Sequence, residues 1–69
     1  MTITDVIRNF AKYGFTETPL TVAQIEHCIE SGFDEDMIYN LGCDMAAGWR
    51  FNEVIGAYYM DIVEKDLFA

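Results

Sequence analysis

The side chains with the greatest reactive potential are His27, Cys28 and Cys43. A thiol beside an imidazole is the pairing a cysteine nucleophile needs with its base. Here His27 and Cys28 are consecutive, and consecutive residues on a helix point about 100° apart and do not face each other. The same three residues are poor zinc ligands. A structural zinc takes about four Cys or His side chains, and no CxxC or HxxxH spacing is present. Asp34, Asp36 and Asp44 suggest a calcium loop, but an EF-hand starting at Asp34 needs Gly at its sixth position and Glu at its twelfth. Tyr39 and Met45 stand there. No GxSxG, phosphate-cradling glycine loop or GxGxxG occurs. The expectation is a binding protein, not an enzyme, with no cofactor and no metal.

The carboxylates are a different matter. Between Tyr13 and Trp49 there is no Lys or Arg, while Glu17, Glu26, Glu30, Asp34, Glu35, Asp36 and Asp44 all fall in that span. Soluble helices usually mix signs, because opposite charges one turn apart add a few tenths of a kcal/mol. Asp34, Glu35 and Asp36 have a structural explanation, since carboxylates are favoured at a helix N-terminus. Glu26 and Glu30 have none. They are like charges one turn apart near the C-terminal end of a helix, where negative charge opposes the dipole. The acids Glu26, Glu30, Asp34, Glu35, Asp36 and Asp44 are therefore the candidate partner-binding surface. A second candidate is the aromatic group Trp49, Phe51, Tyr58 and Tyr59, for which core packing is the simpler reading and interface the alternative.

Positioning these side chains requires helices. Three places read helix, Gly, aromatic: Tyr13-Gly14-Phe15, Ser31-Gly32-Phe33 and Ala47-Gly48-Trp49. Gly just past a helix end takes the left-handed conformation, and the apolar residue after it can fold back on the last turn. These stops divide the chain into four helices. The first runs from about Ile3 to Tyr13, with Ile3, Val6, Ile7 and Phe10 as its buried stripe. Thr2 with Asp5, or else Thr4, caps it. The second begins at a capping box of Thr21 and Gln24, with Leu20 and Ile25 placed as a hydrophobic staple, and continues through Cys28 and Ile29. Asp34 caps the third, where Met37, Ile38, Leu41 and Met45 face inward. Gly42 in mid-helix implies a close crossing or a break. The fourth runs from near Asn52 to about Asp66, with Val54, Ile55, Tyr58, Ile62 and Val63 inward. Tyr59 and Met60 broaden that face. Short loops make successive helices neighbours. The expected fold is all-α: a compact bundle of about four short helices, residues 1–69 forming one domain.

Composition sets the outer bounds. A chain of 69 residues has room for one core, and a domain this small buries only roughly 60% of the surface its unfolded chain exposes. Hydrophobic residues make up 52%, enough to fold and to leave apolar surface for a partner or a homodimer. Met1 to Asp5 lacks the basic start and apolar run of a secretory signal, and no run approaches the roughly 20 apolar residues of a membrane span. Two cysteines make no disulfide framework; two buried thiols in a reducing cytoplasm are expected. The net charge of -8 disfavours nucleic acid and anionic membranes, which require clustered Lys and Arg. It favours a protein partner with a basic surface.

In size, charge and helical build the whole chain resembles the small acidic inhibitor proteins of bacteriophages and mobile elements, a class that includes nucleic-acid mimics and many anti-CRISPR proteins. That resemblance implies cytoplasmic action in a host cell against a basic, nucleic-acid-binding protein such as a CRISPR effector subunit. Carboxylates fixed on helices would occupy a groove meant for phosphates. The chain departs from pure mimics in being strongly apolar, so an interface with an apolar centre and an acidic rim is an equal expectation beside charge mimicry. The competing expectation is a helical adaptor or assembly module, monomeric or homodimeric, whose acidity serves solubility.

Overall fold

The helix starts are set by side chains that take up the otherwise unpaired first N–H groups. A computed structural model describes residues 1–58 of the chain. Helix α1 spans Ile3–Lys12, and Thr2, not Thr4, is its cap. The Asp5 N–H donates to Thr2 Oγ1 at 3.2 Å, and the Thr2 N–H donates to Asp5 Oδ2 at 2.9 Å. Helix α2 spans Val22–Glu30 and repeats this box with Thr21 and Gln24 at the same two distances. Helix α3 spans Glu35–Ala46, and its Met37 N–H donates to Asp34 Oδ1 at 2.8 Å. A fourth helix, α4, covers 51–58 of the described residues. It starts one residue before Asn52, with the Glu53 and Val54 N–H groups both donating to the Arg50 carbonyl. The expected inward positions Met60, Ile62 and Val63 lie outside the described residues, as does Tyr59. Among the described residues the architecture is all-helical, without strands.

Three helix ends share one hydrogen-bond pattern. The N–H of Phe15 donates to the Phe10 carbonyl, that of Phe33 to Cys28, and that of Trp49 to Asp44. Each closes a six-residue loop, while the Gly before it donates to the carbonyl three residues back. This is the Schellman arrangement. Gly32 must be Gly for a backbone reason, because its φ is +86°, where a Cβ is strained.

The core consists of Val6 and Phe10 from α1, Leu20, Ile25, Cys28 and Phe33 around α2, Ile38 and Leu41 from α3, and Val54 and Ile55 from α4. Gly42 resolves as a close crossing within an unbroken α3. A Cβ built there would collide with the Phe10 ring and stand 3.0 Å from Leu20 Cδ1. Phe10 in turn meets Phe15 edge-on at 5.4 Å and Tyr39 at 5.6 Å. Ile7 departs from the expected stripe and is exposed. With α1 held at Val6 and Phe10, its neighbour one residue on is rotated away from the core.

Candidate partner-binding surface

The six candidate acids do not form one face. They divide among three surroundings, and each surrounding follows from the helix that carries them. Glu26 and Glu30, one turn apart on α2, are both exposed. They border a shallow hollow of about 290 Å³ whose other described lining residues are Met1, Thr2, Ile3 and Ile29. Ile29 comes from between the two acids, and the chain start is brought alongside by the packing of α1 on α2. The result is a mostly apolar depression that two acidic residues also line.

Asp34, Glu35 and Asp36 are exposed at the start of α3. Asp34 is engaged as the cap. Glu35 shares a hollow of about 240 Å³ with Asp5, Arg8, Asn9 and Lys12 of α1. A stretch that is free of bases along the sequence is thus not free of them in space, because α1 packs beside α3 and brings Arg8 and Lys12 to Glu35. Asp5 is already committed in that hollow. The Thr2 backbone N–H, then the Thr2 hydroxyl, hold its carboxyl below the ordinary carboxylate range.

Asp44 is half-buried and carries structure as well as charge. Tyr58 Oη donates to its Oδ2 at 3.2 Å, joining α3 to α4, and its carbonyl accepts the Trp49 N–H. It lines a hollow of about 330 Å³ with Trp49, Glu53, Val54 and Ala57.

The aromatic group divides similarly. Phe51 and Tyr58 pack against the core, and Tyr58 lies 5.9 Å from Phe33. Trp49 is 60% exposed, so the core reading fails for it. The Schellman bond at Trp49 is made, yet Phe51, the first residue of α4, and not Trp49, packs against the core. Glu53 and Met1 were passed over in the sequence. Neither belongs to a motif, and only the folded chain sets one beside Trp49 and the other beside Ile29.

The reactive residues are dispersed. Cys28 is fully buried, and burial pushes its thiol up to about 11. A thiol in that state is a poor nucleophile at neutral pH. Cys43 is half-buried, not buried, and both cysteines are free thiols. Hydrogen bonding with Cys43 one turn along α3, with some desolvation, raises the Tyr39 phenol above its ordinary value. His27 is exposed and meets the Phe51 ring edge-on at 6.2 Å. Among the described residues no three His, Cys, Asp or Glu side chains are grouped to hold a metal ion. No helix among them is long and apolar enough to cross a membrane.

In comparisons with known proteins no family model, no curated protein and no solved structure matches the chain.

Proposed function

We propose that the protein acts by binding, as an inhibitor that docks on a protein with a basic surface and blocks it. The observation that carries this reading is the hollow between α1 and α2. Ile3, Ile29 and Met1 give it an apolar lining, and the exposed acids Glu26 and Glu30 line it as well. That combination suits a mixed interface, in which apolar contacts supply affinity and acidic charges select a cationic partner. It supports steric occlusion over charge mimicry, because Arg8 and Lys12 beside Glu35 interrupt any continuous phosphate-like array. A nucleic-acid-binding protein, with a CRISPR effector subunit as the class implied by the resemblance in size and charge, is the partner this reading favours.

The test is the double substitution Glu26→Lys and Glu30→Lys, used as bait beside the parent chain. Helicity should be unchanged, and the partner captured by the parent should be lost. Retention of the same partner by the double variant would end this reading.

A second reading has one observation in its favour. Ile7, Tyr13 and Val22 are all large apolar side chains left exposed, as an adaptor or homodimer would require. The two readings separate by salt. Charge selection weakens between low and high ionic strength, whereas an apolar contact holds.

A further inference from the structure

We propose that the hollow bounded by Trp49, Asp44 and Glu53 seats an arginine side chain of the partner protein. This deepens the binding reading and rests on it, but it concerns a different surface, on α3 and α4. Trp49, a residue 60% exposed, lines the hollow. An exposed tryptophan attracts a cation to its ring, and a guanidinium in particular stacks flat on it. Two carboxylates, Asp44 and Glu53, line the same hollow, and Val54 and Ala57 supply apolar surface for the methylene stem. Asp44 is fixed in advance. Its Oδ2 accepts from Tyr58, and its backbone carbonyl accepts from the Trp49 N–H, which ties the acid to the aromatic residue. A hollow of about 330 Å³ stands at the small end of ligand sites, which span roughly 300–1,000 Å³. That suits one side chain better than a cofactor. The chain's own Arg50 is exposed and is not among the described lining residues. A second copy of this chain is disfavoured as the source by a net charge of -8 on each molecule. Arginine is favoured over lysine because the planar fork satisfies a ring face and a carboxylate together.

Trp49 is the only tryptophan in the chain, so its fluorescence reports this site alone. N-acetyl-arginine amide is titrated into the full-length protein at constant ionic strength, beside the lysine and citrulline analogues. The arginine probe should shift Trp49 emission saturably, with a dissociation constant in the millimolar range. Lysine should bind more weakly, and uncharged citrulline should give no saturable response. Glu53→Gln and Asp44→Asn, which keep size and an acceptor, should each weaken arginine about three-fold, and Glu35→Gln on the other hollow should not. An equal response to citrulline, or parent-like binding by both the Glu53 and Asp44 variants, would overturn the proposal. The probe replaces the partner, so its failure removes the arginine seat alone. Failure of the α2 charge reversal removes the Glu26/Glu30 reading alone.

Discussion

Gly42 of α3 lies directly against the ring of Phe10 in α1, so closely that a methyl group at position 42 would occupy ring space. The crossing of these helices depends on the missing side chain. Local propensity argues the other way, since Ala in a helix interior is favoured over Gly by about 1 kcal/mol. Here the tertiary contact wins, because Phe10 is itself buried and packed against Phe15 and Tyr39.

Gly42→Ala should therefore destabilise the fold by about 1–3 kcal/mol, the usual cost of overpacking. Combining it with Phe10→Leu should cost less than the two separate changes added together, because the smaller side chain vacates the space. Urea unfolding of the four proteins measures the cycle. A strictly additive double variant would mean that the two residues do not touch.

The helix boundaries were legible because each has local chemistry: a Thr box at α1 and α2, an Asp cap at α3, and Gly-aromatic stops after all three. Ile38, Leu41 and Phe10 were legible as core from spacing alone. What spacing could not give was the register between helices. Gly42 read equally as a crossing or a break until Phe10 was found opposite it. The acidic span looked unbroken because Arg8 and Lys12 are distant in sequence from Glu35 yet share its hollow. Trp49 follows the same Gly-aromatic grammar as Phe33, and the next helix starts two residues after each, so the local pattern does not separate the buried ring from the exposed one.

Gly32 tests the turn chemistry separately from packing. No atom lies within 4 Å of a Cβ built there, yet φ is +86°. Gly32→Ala should cost about 1 kcal/mol through backbone strain alone, and a β-branched Val should cost more. D-alanine, introduced by chemical synthesis, should be tolerated, since its Cβ suits the left-handed region. Equal melting temperatures for the L- and D-alanine proteins would contradict the left-handed stop.

Burial of Cys28 has a consequence for pH. Its thiol is raised from 9.0 to about 11 in the folded chain, by desolvation. Between those values the unfolded chain gives up a proton that the folded chain retains. The contribution to stability is complete below about pH 9 and is lost as pH rises towards 11. Cys28→Ala should flatten the fall in unfolding free energy over that window, although the cavity lowers stability at every pH. In the parent at pH 8, Cys43 should react with a thiol reagent well before Cys28. Simultaneous reaction of both in the folded state would count against the burial of Cys28.

The two groups of surface acids should respond oppositely to charge changes, because their neighbours differ. Glu30 is the last residue of α2, with Glu26 one turn before it, so both oppose the helix dipole and repel each other. Replacing both with Lys removes the repulsion from the dipole and retains a good helix former. The melting temperature should hold or rise slightly. Arg8 and Lys12 share a hollow with Asp5 and Glu35, so the double change Arg8→Glu with Lys12→Glu converts attraction to two acids into repulsion. It should destabilise by up to about 1 kcal/mol at low salt, and the deficit should shrink as added salt screens exposed charges. Thermal melts at two ionic strengths measure both effects. If the α2 reversal were instead strongly destabilising, Glu26 and Glu30 would be structural residues, and their position beside the apolar hollow would no longer need a partner to explain it.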